Sequence, residues 1–249
     1  MTGFDIIGLV ILVLFLALML TYASIGQRWE VAFRPLPGLD ALDEAIERAV
    51  EDGSRVHVSL GTGSVIGSDS APALAGLAML SKIAAKTSIS DKPVVATAAD
   101  GAMALLAQDT LRTAYAEAGA SGRYEPNSGR LLAPSPFSYA AALPMMLATE
   151  DVSVHLMSGS FGAEGGLAAD FGERKQALVM AGTDDVQSQA LLYAAAQYPL
   201  IGEEVFATGA YLDIGRMHRS SLRTQDVVRY VIVLAVLVGT VARTLGLLP

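Results

Sequence analysis

The chain contains no cysteine. Disulfides, thiolate catalysis, and zinc or iron–sulfur centres held on Cys are therefore excluded. Histidine is almost as scarce. His57, His155 and His218 are the only three, so a three-histidine metal site would consume them all. Positive charge is in deficit: 17 Lys and Arg stand against 25 Asp and Glu, a formal net charge of −8. That deficit argues against nucleic-acid binding, which needs clustered cations against phosphate. Charge of either sign is absent from Ile6–Ile25, and after Arg229 only Arg243 carries one on its side chain.

Those two poorly charged stretches are what the sequence has in place of ordinary termini. Ile6–Ile25 is 20 residues long, and an apolar helix of about 20 residues crosses the hydrocarbon core of a bilayer. Tyr230–Ala242, extended by Leu245–Leu248, is a second run. Met1–Asp5 holds no basic residue, whereas Arg28 and Arg34 follow the first run. Arg216, Arg219, Arg223 and Arg229 precede the second, and only Arg243 follows it. Basic residues close to a span are retained on the cytoplasmic side. The expectation is a two-pass protein of the cell membrane, with a cytoplasmic central domain and both termini outside. The seven arginines would face the lipid headgroups. A cleaved signal peptide is the rival, but it needs a basic n-region and a shorter apolar core. Neither run carries a charge at its middle, which argues against ion translocation.

The expected division is a first span over 1–27, a juxtamembrane segment with an amphipathic helix over 28–54, a cytoplasmic α/β domain over 55–212, a basic juxtamembrane segment over 213–229 and a second span over 230–249. In the amphipathic helix, Leu39, Leu42, Ile46, Ala49 and Val50 fall on one stripe, and Asp40, Asp43 and Glu44 sit near the N-terminus, where the helix dipole favours acids. Within the central domain four short apolar runs recur: Arg55–Leu60, Pro93–Ala98, Val152–Met157 and Ala177–Ala181. Each leads through a turn of small polar residues into a helical stretch. Strands alternating with helices in this way imply βαβ units and a parallel sheet.

The first and third runs resemble each other. Aligned from Val56 and from Val152, they match at five of nine positions as far as Ser64 and Ser160. The second and fourth runs end near Asp100 and Asp184. The predicted fold is thus a Rossmann-like parallel sheet of at least four strands, built from two βαβα half-repeats over 55–118 and 152–198. Residues 119–151 form the linker, which includes an apolar helix over Phe137–Leu147. Val205–Leu212 reads as a fifth short strand or a connector.

Ligands of open parallel sheets bind beyond the C-terminal strand ends. The candidate ligand residues are therefore Gly61, Thr62, Gly63, Ser64, Asp100, Ser158, Gly159, Ser160, Thr183 and Asp184. Gly61–Gly67 reads G-x-G-x-x-x-G, near a dinucleotide loop but with its third glycine displaced. Ser158-Gly159-Ser160-Phe161-Gly162 is a loose form of a nucleophile elbow, with Asp184 and His218 following in hydrolase order. Its first glycine is replaced by Ser158, and His218 lies between Arg216 and Arg219. The acids Glu164, Asp170 and Glu173, and the pair Glu203 and Glu204, read as solvated helix faces. No catalytic residue, metal site or cofactor emerges.

Arg34–Asp40, His57–Ser64, Ser160–Glu164, Gly182–Asp184 and Pro199–Glu204 together resemble an uncharacterised bacterial family. Its members are membrane-anchored domains of unknown function, and the likeness covers most of residues 34–212. The resemblance implies a recurring module and transfers no activity. Two functions remain. The first is a non-enzymatic, homo-oligomeric scaffold or subunit of a membrane assembly, with other membrane proteins as candidate partners, motivated by the two spans and the Ala-rich helices. The alternative is a sensor or enzyme binding a nucleotide or sugar phosphate at the strand ends.

Overall fold

A computed structural model of the chain describes residues 3–25, 34–67 and 69–246. They fall into two compact units: Arg34–Leu212, and the two flanking segments taken together. The flanking unit consists of α1 (Gly3–Ile25) and α9 (Arg216–Thr244), which pack against each other. Both are long and apolar enough to cross a membrane. Their apolar side chains, from Ile6 to Leu20 and from Tyr230 to Val241, are largely uncovered by protein. The expected basic segment 213–229 is not a separate connector. From Arg216 onward it is the first half of α9, because nothing between Arg216 and Thr244 breaks a helix: no proline, and a single glycine, Gly239. Leu245 and Gly246 form a turn, and Leu247 and Leu248 lie outside the described residues, as does Arg28.

The larger unit is a six-stranded, all-parallel sheet. Its strands are β1 (Arg55–Gly61), β2 (Val95–Ala98), β3 (Gly129–Leu131), β4 (Val152–Ser160), β5 (Leu178–Gly182) and β6 (Tyr198–Leu200), in spatial order β3-β2-β1-β4-β5-β6. Two βαβαβ halves therefore meet at the β1–β4 seam. The half-repeat expectation holds, with one more strand in each half than the sequence suggested. The linker contributes β3, and the helix expected to run to Tyr198 stops at Ala195, leaving Tyr198–Leu200 to form β6. Both extra strands are sheet edges. Pro199, which cannot donate a ladder hydrogen bond, is tolerated there for that reason. The proposed fifth strand over Val205–Leu212 is instead helical.

Helices cover both faces: α2 (Pro37–Asp52), α3 (Ser70–Thr87), α4 (Gly101–Glu117), α5 (Pro136–Thr149), α6 (Glu164–Arg174), α7 (Val186–Ala195) and α8 (Glu204–Tyr211). The first begins with Pro37 and ends at Gly53, whose φ of +67° is the left-handed cap that stops the helix. Its stripe is buried as expected at Leu39, Leu42, Ile46 and Ala49. Gly76 brings α3 down onto Leu60, while Gly172 brings α6 down onto Val179 and His155. Leu60 and His57 are three residues apart on β1, so they point to opposite faces. Hence α3, with α2, α4 and α8 beside it, covers one face, and α5, α6 and α7 cover the other.

Candidate functional site

The seam sets the geometry of the site. β1 and β4 stay in register from His57↔His155 to Ser59↔Met157, then shift so that Gly61 faces Ser160. The two backbones come so close there that a Cβ on Gly159 would strike the Leu60 carbonyl, and one on Gly61 would strike that of Ser160. Gly61 also holds φ +79°, a conformation a side chain disfavours. Thr62 N–H donates to the Ser160 carbonyl at 2.9 Å, and Ala99 N–H to that of Gly61 at 3.0 Å. Past this point the chains diverge, leaving a cleft of about 700 Å³.

This position is the switch point of a doubly wound sheet, where neighbouring strands send their connections to opposite faces. Of the candidate residues, Thr62, Ser160 and Asp184 line the cleft. The others do not. Asp100 caps α4, its Oδ1 accepting from Met103 N–H at 2.9 Å. Ser158 and Gly159 belong to β4, which runs three residues beyond its expected end at Met157, and Ser158 is buried. Thr183 is fully buried. Its Oγ1 accepts from Phe161 N–H at 3.0 Å and donates to the Phe161 carbonyl at 3.1 Å, tying the ends of β4 and β5 together. Gly61, Gly63 and Ser64 shape the loop before α3 without lining the cleft.

Four carboxylates do line it: Asp69, Glu164, Asp184 and Asp185. No Lys, Arg or His does so among the described residues. The solvated-face reading of Glu164 is overturned, for it is only 5% exposed and its Oε1 accepts from Gly162 N–H at 2.8 Å. Asp170, by contrast, pairs with Arg174 on the surface. Glu203 is exposed as expected, whereas Glu204 is half-buried and bound to Arg34. Sequence reasoning missed Asp69 because it ends a long loop, and Glu164 because its backbone partner lies two residues away in a turn.

The two halves are not equivalent at their second strand ends. Asp185, not Asp184, is the counterpart of Asp100. Its Oδ2 caps α7, accepting from Ser188 N–H at 2.7 Å and Ser188 Oγ at 2.5 Å. Those bonds hold the Asp185 carboxyl below its usual pKa. Asp184 is therefore an additional carboxylate, and its Oδ1 is buried with no hydrogen-bond partner.

A family model for a domain of unknown function, DUF6754, matches residues 3–248. The chain belongs to this family. No curated protein matches it, and no solved structure does. Membership bears out the likeness to an uncharacterised family and extends it from 34–212 to both apolar helices.

A second polar feature of this DUF6754 chain lies beneath the cleft, inside the sheet. His57 and His155 stack across the seam with ring centroids 4.9 Å apart and Nδ1 atoms 2.8 Å apart. His57 Nε2 meets Thr97 Oγ1 at 2.9 Å. Tyr139 OH lies 2.6 Å from both Thr97 Oγ1 and Ser59 Oγ. His155 Nε2 is buried without a partner. A bare lone pair there is cheaper than an orphaned N–H. That assigns the proton to His155 Nδ1, which donates to His57 Nδ1, while His57 Nε2–H donates to Thr97. Burial drives the His57 pKa well below its ordinary value, helped by His155 and Arg130, and lowers that of His155 to about 3. Both imidazoles are neutral at pH 7. Burial likewise raises the Tyr139 phenol to about 12.

The elbow expectation fails locally. Ser158–Ser160 is extended strand rather than a strained turn, and this unit's own histidines are sealed in the sheet. No group of three or more His, Asp or Glu able to hold a metal ion occurs among the described residues.

Proposed function

We propose that the protein is a membrane-anchored α/β domain that binds a small polar ligand in the cleft at the β1–β4 seam. The observation that carries this reading is Asp184. It is a carboxylate beyond the one needed to cap α7, it lines the cleft, and one of its oxygens is buried without a partner. A buried, unpaired carboxylate oxygen is costly unless something donates to it. The other lining carboxylates disfavour a phosphate and favour a neutral or cationic donor such as a nucleoside, an amino sugar or a polyamine.

Isothermal titration of the full chain in lipid nanodiscs with spermidine, adenosine and inorganic phosphate tests this. Binding of spermidine or adenosine that Asp184→Ala abolishes supports it. Binding of phosphate alone, or of none of the three, counts against it.

The anchoring is proposed on the two apolar helices, α1 and α9, whose apolar side chains are largely uncovered within the protein. The arginines Arg216, Arg219, Arg223 and Arg229 precede the apolar part of α9, which favours a cytoplasmic location for Arg34–Leu212. The chain has no native cysteine, so a single introduced one reports its side of the membrane. Gly122→Cys in intact cells should resist an impermeant maleimide and react after lysis; labelling of intact cells would invert the topology.

A homo-oligomeric scaffold is the second reading. The outer helices carry exposed apolar side chains at Phe137 and Met145 of α5, Leu167 of α6, and Leu191 and Tyr193 of α7, which supports contacts with further copies. Native mass spectrometry of the detergent-extracted protein decides it: a discrete oligomer supports the scaffold, and a strict monomer at micromolar concentration removes it.

A further inference from the structure

From Thr183, beside the cleft, a line of hydrogen bonds leaves the site and ends at Arg34. Thr183 binds the start of the β4–α6 connection through Phe161, and its carbonyl accepts from Gln189 Nε2 at 2.9 Å. The other end of the same amide, Gln189 Oε1, accepts from Gly202 N–H at 3.2 Å. Gly202 stands in the turn between β6 and α8, at φ +61°. In that turn Ile201 N–H donates to Glu204 Oε2 at 3.0 Å, and the other oxygen of Glu204 holds the Arg34 guanidinium. Tyr211, at the end of α8, donates to the Arg34 carbonyl at 2.9 Å. Arg34 and Leu212 bound this unit, and each leads along the chain toward one of the apolar helices.

Every member of this line has a role that the others constrain. The Gln189 side chain has two ends, and both are used. Gly182, next to Thr183, has no side chain because Val205 and Leu200 occupy that space, so the end of β5 also rests on α8. Movement of the Thr183–Asp185 segment is thereby opposed by the 201–204 turn as well as by its own strand.

We propose that Gln189 couples the cleft to the two points where the chain leaves this unit toward α1 and α9. Movement at the cleft is then felt at both chain exits of this unit, Arg34 and the end of α8. The proposal rests on the reading of the cleft as a ligand site, yet the coupling is measurable without any ligand.

The experiment is hydrogen–deuterium exchange of the full chain in lipid nanodiscs, comparing the wild type with Glu204→Ala, Gln189→Glu and the double variant. Glu204→Ala removes the grip on Arg34 far from the cleft. Gln189→Glu is isosteric, keeps the acceptor for Gly202 and loses the donor to Thr183, so the fold is retained. Glu204→Ala should speed exchange about threefold to tenfold in 199–206 and also in 161–163 and 183–188, as expected from loss of one hydrogen bond's net contribution. With Gln189→Glu in place, adding Glu204→Ala should leave 183–188 unchanged, a non-additive pair. If Glu204→Ala loosens only 199–212, or if its effect on 183–188 persists fully in the double variant, the coupling is overturned. A cleft that binds none of the probes would leave this exchange result intact, so the two readings fail separately.

Discussion

The two halves of the sheet share a topology and divide the work. In the first, eight positions separate β1 from α3; in the second, three separate β4 from α6. In the first, the aspartate after β2 does nothing but cap α4. In the second, one more residue separates β5 from its helix, Asp185 takes over capping, and Asp184 is left beside the cleft. The comparison teaches that a single extra residue at a strand end frees a carboxylate from capping and leaves it beside the cleft. The halves are nonetheless bound into one core by the histidine pair, one ring from each.

The sharpest way to break the comparison is at the seam itself. Gly159→Val should cost about 3 kcal/mol or more, or abolish folding, because its Cβ strikes the Leu60 backbone. Gly122→Ala, with open space around it, should change stability by less than about 0.5 kcal/mol. Chemical denaturation of the detergent-solubilised chain compares the two.

Acid is the next largest effect. His155 has its pKa lowered to about 3, and His57 is also lowered. The unfolded chain therefore binds protons that the folded one refuses once the pH is below about 6.5. Stability should rise with pH across the window from about 3 to 6.5 and be lost as pH falls through it, at about 1.4 kcal/mol per pH unit for His155, with His57 adding to the loss in the same direction. Denaturation midpoints at a series of pH values measure the slope, and His57→Phe should remove one histidine's share of it. A flat profile would mean that the pair is not buried and neutral.

The paired aspartates sharpen the contrast between halves. Asp100→Ala should cost about 1 kcal/mol as a lost helix cap, and Asp185→Ala should lower the melting temperature for the same reason. Asp184→Asn should stay within about 0.5 kcal/mol of wild type in thermal melts, yet weaken the binding of any cationic probe. If Asp184→Asn destabilised as much as Asp185→Ala, the division of roles at this strand end would be wrong.

Much of this architecture was legible in the chain. Four strands, their parallel arrangement and the half-repeat followed from apolar runs alternating with helical stretches. The repeat alignment matches Val56 to Val152 as equivalents in the two halves and leaves the register open; in the sheet Val56 pairs with Val154. A two-residue offset keeps every side chain on its own face, so alternation alone cannot detect it. β3 and β6 were hidden because three-residue edge strands such as Gly129–Leu131 carry no apolar run. The aspartate correspondence was misread for a related reason: which of Asp184 and Asp185 caps α7 depends on where the helix begins.

By itself the sequence determined the elements that depend on local pattern: two long apolar runs nearly free of charge, an amphipathic α2, the strand–helix alternation and the exclusion of cysteine chemistry. Tertiary structure alone decided the rest. The strand order that puts β1 beside β4, the pairing of His57 with His155 across 98 residues, the convergence of Asp69, Glu164 and Asp184 on one cleft, and the line from Thr183 to Arg34 all join segments far apart in the chain. Those contacts depend on how twisted strands and packed helices place remote backbones, and no local periodicity encodes that distance.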